Sequence, residues 1–148
     1  MRRLIEIALL LSAVLLPVAA QSRDNAAEDL VRQYVRARSQ TMQENASSRD
    51  VERALSFCAE GFVYEHPSAG ARIEGKEKVR SGMSAYLGET RNATYSLRIL
   101  ASNPHVVVAQ VDQRFLAKQE NGSWVPGKRS NITVFETEGG KIRRILDY

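Results

Sequence analysis

Among the residues able to do chemistry, His66 has the most telling setting. It closes the strand-like run Phe62-Val63-Tyr64-Glu65-His66, and Pro67, Ser68 and Gly70 then mark a turn before Gly75 opens a helix. A histidine's ordinary pKa near ~6.5 lets it take or give a proton at neutral pH. The other histidine, His105, is distant in sequence, and Cys58 is the single cysteine. Two distant His and one Cys give no metal-ligand spacing, so no metal and no other cofactor is expected. Cys58 follows Val51, Ala54 and Leu55 at helical spacing, which suits a buried, inert thiol better than a nucleophile. Being alone, it forms no internal disulfide even in an oxidising compartment.

The elements that must position these groups begin after a leader. Arg2 and Arg3, the apolar run from Leu4, and Val18-Ala19-Ala20 have the order of a secretory signal, with cleavage expected after Ala20. The apolar run is shorter than the ~20 residues that span a bilayer, so no lasting membrane anchor is expected and the product should be secreted or periplasmic. Loss of residues 1–20 leaves 128 of the 148 residues, one domain with one core, and takes the formal charge from +4 to +3. Its Lys and Arg are interleaved with Asp and Glu, as in Arg49-Asp50-Val51-Glu52-Arg53, which describes a solvated surface and not a nucleic-acid stripe. Four Asn-x-Ser/Thr patterns, at Asn45, Asn92, Asn121 and Asn131, are taken as chance matches.

Three helices are expected. The first, from a cap at Ser22 or Asp24 to about Glu44, carries Ala27, Leu30, Val31, Tyr34 and Val35 on one face, which turns Tyr34 toward the core. The second is expected over Asp50–Cys58. The third follows Gly75 to about Leu87, with Val79, Met83, Tyr86 and Leu87 on one side and Gly88 as its cap. From Ala93 the chain alternates, and turns at Asn103-Pro104, Glu120-Asn121-Gly122-Ser123 and Glu138-Gly139-Gly140 divide it into four long strands. Tight turns make consecutive strands pair antiparallel, which gives an α+β fold: three N-terminal helices on a strongly curved, mostly antiparallel sheet, a cone-shaped half barrel open at its wide end.

This order of elements resembles the nuclear transport factor 2-like superfamily, which includes SnoaL-like polyketide cyclases and ketosteroid isomerases. The local match is Ala59-Glu60-Gly61-Phe62-Val63-Tyr64-Glu65-His66-Pro67 followed by Gly75, together with Val134-Phe135-Glu136, Gly140-Lys141-Ile142 and Ile145 as a closing hairpin. The resemblance runs from about Asp29 to Tyr148. It implies three site residues. Tyr34 stands where ketosteroid isomerases keep a tyrosine donor to the oxyanion, His66 where they keep the proton-shuttling aspartate, and Asn131 where they keep a second donor, a protonated aspartate. His66 would then be the base or acid, and Tyr34 and Asn131 the hydrogen-bond donors.

Taken singly, Tyr34 is a core tyrosine, His66 a turn histidine fixed by Pro67, and Asn131 a strand residue. Thr133, Phe135, Asp112 and Arg114 are further candidates to line the same cavity. Parity leaves the strand around Val106–Val108 open, because its apolar run is continuous; if Asn131 points in, so do Thr133 and Phe135, while Ile132 and Val134 point out. An apolar outer face would need a cover, so a homodimer is expected. The function implied is a small-molecule isomerase, dehydratase or cyclase working by proton transfer. The alternatives are a non-catalytic binder of a hydrophobic ligand, and an interaction module, which a cavity below ~300 Å³ would favour.

Overall fold

The computed structural model describes residues 18–148, with side chains from Ala26 onward. The elements are α1 (Val18–Gln40), α2 (Ser48–Leu55), β1 (Cys58–His66), a short 3-10 turn (Pro67–Ala69), β2 (Ala71–Glu74), α3 (Lys76–Ala85), β3 (Thr90–Ser102), β4 (Val106–Lys118), β5 (Trp124–Glu138) and β6 (Lys141–Asp147). The expected leader lies outside the described residues except for Val18–Ala20, which begin α1. No cap interrupts the chain at Ser22 or Asp24, because apolar and small residues precede them and let the helix continue. Among the described residues, no helix is long and apolar enough to cross a membrane.

The first helix carries the expected stripe. Ala27, Val31, Tyr34 and Val35 are buried with Ala37, and α1 lies on β3, β4 and β6. Helix α2 starts earlier than expected, because Ser47 caps it and the Asp50 carboxylate accepts the Ser47 backbone N–H at 2.8 Å. It also stops earlier. Cys58 is not the last residue of its stripe but the first residue of β1, still buried at 1% exposure. Helix α3 ends at Ala85, which leaves Tyr86 69% exposed instead of on the apolar side.

The sheet is six-stranded, curved and unclosed, in the order β2-β1-β6-β5-β4-β3. The four long strands form the expected antiparallel meander. A parallel pair, β1 with β6, joins it to the β1–β2 hairpin. Two pieces of local chemistry fix these joins. Gly75, at a φ of +88° that other residues rarely adopt, turns the chain so that its N–H bonds the Phe62 carbonyl at 2.9 Å and α3 can start. Gly139 and Gly140, both at positive φ, make a two-residue hairpin between Glu138 and Lys141. On the outer face Arg144 reaches Glu65 with two nitrogens at 3.1 Å, clamping β6 to β1. The core between helices and sheet is built on Phe62, Phe135, Leu55, Ile142, Ile145, Val31, Val51 and Val107.

Candidate functional site

Strand β5 is a ladder from core to solvent. Its inward positions fall every second residue, and exposure rises along them from Phe135 (2%) and Thr133 (3%) through half-buried Asn131 to exposed Arg129. On β4 the paired positions run Val107, Ala109, Val111, Gln113, so the wall changes from apolar to polar at the same depth. A cavity of about 60 Å³ opens where the change occurs. From the helix side it is bounded by Tyr34, Val35 and Arg38, and from β1, β3 and β6 by Tyr64, Tyr95, Ile145 and Asp147.

Asp147 is the one carboxylate in this lining, and it is only 9% exposed. Burying a charge without partners is costly, and its partners are close. The Thr133 hydroxyl donates to Oδ1 at 2.7 Å, and the Tyr64 hydroxyl donates to Oδ2 at 3.0 Å. Behind Tyr64 stands His66, its Nε2 3.0 Å from the same hydroxyl and its Nδ1 3.2 Å from the Asp147 backbone carbonyl. The two rings meet edge-on, with centroids 5.0 Å apart.

Counting hydrogens constrains this set. A carbonyl can only accept, so Nδ1 carries a hydrogen. The contacts Nδ1 to carbonyl, Nε2 to Tyr64 and Tyr64 to Oδ2 need three hydrogens, while a neutral histidine and a tyrosine bring two. With all three contacts made, the third hydrogen is on the imidazole, as imidazolium beside a carboxylate, or on Asp147, as a carboxylic acid. The two states differ by moving one hydrogen through the Tyr64 hydroxyl. Burial first, and then Asp147, push the Tyr64 hydroxyl far above a phenol's ordinary range, so it passes hydrogens without ionising.

Tyr34 is 7% exposed and meets Phe135 edge-on at 6.1 Å between centroids. Burial raises its hydroxyl well above the usual value, which keeps it a donor. The side chains of Tyr34 and Asn131 both border the cavity, and among the described residues the single buried side-chain polar atom without a partner is elsewhere, at Arg91 Nε. Tyr95 donates to the Met42 sulfur at 2.8 Å, and Arg38 donates to the Thr41 hydroxyl.

The structure thus brings Tyr34, Asn131, Thr133 and Phe135 to one cavity and leaves three expected residues out. His66 does not border it, because Pro67 ends β1 there and the ring lies against Tyr64 instead of beyond it. Asp112 and Arg114 belong to the other face. The inward residues of β4 are odd-numbered, so Asp112 pairs outward with the Ser130 hydroxyl at 2.5 Å and the Gln110 amide at 3.2 Å, which hold its carboxyl below the usual range. Arg114 is exposed beside Lys128 and Thr94. The residues missed from sequence are Asp147, Tyr64 and Arg38. Tyr64 was signalled by its place two before His66, and Asp147 by its place two after Ile145.

A larger hollow of about 580 Å³ lies over these same strands, bordered by Thr94, Ser96, Asp112, Arg114, Lys128 and Ser130. Tyr95, Gln113 and Arg129 border it as well as the smaller cavity, its other side chains are outward ones, and its one carboxylate, Asp112, is only half-buried. The smaller cavity, with its buried carboxylate and uncommitted donors, is the one equipped for chemistry. Among the described residues no three His, Cys, Asp or Glu side chains gather as a metal site.

Comparison with known proteins agrees with this architecture. No curated protein matches the sequence. A protein from Xanthomonas campestris pv. campestris, provisionally named a polyketide cyclase, superposes with a TM-score of 0.69 at 18% identity, over 85% of this chain and 91% of its own. An LEH-like epoxide hydrolase of M. tuberculosis gives 0.65 at 18% identity, over 84% and 83%. A computationally designed 17-OHP binder gives 0.62 at 19% identity, over 83% and 92%. At such identities the likeness carries the fold alone. The model of the SnoaL-like domain, however, matches residues 31–145, from the second half of α1 into β6. The chain belongs to the SnoaL-like domain family, within the nuclear transport factor 2-like superfamily.

Proposed function

We propose that this chain is a small-molecule pocket protein whose own side chains perform general acid/base proton transfer, as an isomerase, dehydratase or cyclase does. The observation that carries the reading is Asp147, a buried carboxylate on the cavity wall with each oxygen bound by one donor and lone pairs left over. In this reading Asp147 takes a proton from carbon next to a carbonyl: the C–H bond breaks, an O–H bond forms on Asp147, and the electron pair moves to the carbonyl oxygen. Tyr34 and Asn131 donate to that oxygen. The hydrogen gained by Asp147 returns to a different carbon of the substrate, where a C–H bond forms as the O–H bond breaks. His66 does not touch the substrate; through Tyr64 and the Asp147 carbonyl it holds the base in place.

Export of the chain after loss of residues 1–20, a cone-shaped cavity wall and a homodimer formed through the outer sheet face complete the proposal. The test is deuterium incorporation into a panel of small ketones and keto acids in D2O, followed by loss of the α-proton signal. Enhancement over buffer that Asp147→Asn abolishes is expected. No enhancement with any compound, or enhancement that survives Asp147→Asn, refutes the assignment.

A second reading has its own observation. About 60 Å³ holds one or two waters and is well below the ~300 Å³ of a drug-sized site. Leu100 and Ile132 are 42% and 41% exposed on the outer face, so an assembly module that presents this face to a second copy fits the same structure. The cavity mouth is formed by Gln113 and Arg129, long side chains that can swing aside. A strictly monomeric chain in solution would remove the second reading.

A further inference from the structure

The charges that border the cavity do not balance. Two guanidinium groups, Arg38 on α1 and Arg129 on β5, face one carboxylate, Asp147, and that carboxylate is already held by Thr133 and Tyr64. Several arginines are matched, Arg72 and Arg144 with Glu65, Arg80 with Glu52 and Glu77, Arg143 with Glu136, while others without an ion pair among the described residues, such as Arg49, Arg53 and Arg114, lie outside this cavity. Among the described residues neither Arg38 nor Arg129 has such a partner. Each is steadied by a weaker contact. Arg38 donates to the Thr41 hydroxyl, and the Arg129 carbon lies 5.6 Å from the centre of the Phe115 ring. Those contacts leave most of the five N–H donors of each group unused. The two approach the mouth from opposite walls, helix and sheet. Their field meets at Tyr95, whose hydroxyl burial raises and both arginines pull down.

We propose that the cavity, widened as the Gln113 side chain at its mouth swings aside, takes a small organic anion, a carbonyl compound carrying a carboxylate, with that carboxylate between Arg38 and Arg129 at the mouth and the carbonyl end directed toward Asp147. A planar carboxylate matches the guanidinium fork and reduces the local excess of positive charge. Thr133, the strand partner of Asp147, is four residues below Arg129 on β5, about 13 Å along the strand. The anionic group and the reacting atom therefore occupy opposite ends of the ligand. This inference rests on the reading of the cavity as a small-molecule site, and it does not depend on Asp147 acting as a base.

The probes are 4-oxopentanoate and 4-oxo-4-phenylbutanoate, each against its methyl ester, titrated into the 15N-labelled chain at fixed ionic strength. At least one acid should shift the Arg38 and Arg129 side-chain signals saturably, at least tenfold more tightly than its ester. Arg38→Gln and Arg129→Gln should each remove most of that preference and leave the ester unchanged, and Arg38→Lys should keep part of it. Added salt should weaken the acid alone in the wild-type chain, a readout that needs no variant. Acid and ester binding equally well, a preference that survives both glutamine variants, or no saturable shift with either acid overturns the proposal. In Asp147→Asn the acid should still bind. Binding that persists while no carbon proton exchanges would overturn the base assignment and leave the anion site standing.

Discussion

Thr133→Val isolates the hydrogen bond that steadies the buried carboxylate. Valine has threonine's shape, so no cavity opens at a position only 3% exposed. What is lost is a 2.7 Å bond from a hydroxyl to Asp147 Oδ1. A buried bond to a charged acceptor contributes about 1.5–3 kcal/mol. Exchanging a hydroxyl for a methyl returns about 0.8 kcal/mol of apolar burial. The net expectation is a loss of about 1.5 kcal/mol, read as a lower urea midpoint with unchanged slope and a Tm lower by roughly 5 °C. Thr137→Val is the control. Thr137 is equally hidden, at 6% exposure, but its hydroxyl donates to a neutral carbonyl, that of Pro104, at 3.3 Å. There loss and gain should cancel to within about 0.5 kcal/mol. In an Asp147→Asn background the acceptor is neutral, so Thr133→Val should also become nearly silent. If Thr133→Val costs no more than Thr137→Val, water in the cavity already solvates Oδ1, and Asp147 is not the dry, preorganised group described above.

Asp147→Asn should shift the His66 Nε2 signal in histidine 15N spectra, and Tyr64→Phe should abolish that response; an equal response without the Tyr64 hydroxyl would reduce the coupling to a through-space effect. Cys58, 1% exposed and with its thiol pushed up to about 12 by burial, should resist alkylation at pH 8 until the chain unfolds, and rapid native labelling would contradict its place in the core. Glu65 is held below the usual carboxylate range first by its hydrogen bonds from Arg144 and then by Arg72. Its folded pKa lies below the unfolded value near ~4.3, so its contribution is complete above that pH and is lost as pH falls through the folded value; Glu65→Gln should flatten the acid limb of the stability curve, and an unchanged limb would deny the clamp. Phe62→Ala, at a fully buried side chain, should cost about 3–5 kcal/mol in urea titration, and a loss under about 1 kcal/mol would mean the core is not closed there.

Much of this architecture was legible in the sequence because it is written locally. The stripe of α1 and the turns at Asn103-Pro104, Asn121-Gly122 and Gly139-Gly140 define the first helix and the meander, and the alternation of β5 correctly coupled Asn131 to Thr133 and Phe135. Strand β4 hid its parity because Val106 and Val108, on the outer face, are themselves half-buried. Asp112 and Arg114 were misplaced for that reason. Helical spacing carried one residue too far at Cys58, where the sheet takes over the chain. Asp147 was concealed by a register shift between β5 and β6, which lets Ile142 and Ile145 both point inward although they are three residues apart. An alternation counted from Ile142 puts Asp147 outside unless that shift is allowed for, and nothing in the local sequence announces it. The parallel join of β1 to β6 is likewise a long-range pairing without a local signature.

That join has a consequence for the order of assembly. Strand β6 is the last strand in the chain yet lies third in the sheet, between β1 and β5. The β1–β2 hairpin is made early in synthesis but has no neighbour in the sheet until β6 arrives, and the Tyr64–Asp147 contact closes a separation of 83 residues. Loop closure of that length is slow compared with forming the β3–β4–β5 meander, whose pairs are local. The meander should therefore gain hydrogen-exchange protection first, with β1 and its buried tyrosine protected last. The polar set around Asp147 does not exist in any partly made chain. The candidate site is the final piece of the fold to form, and it is absent until the whole sheet is joined.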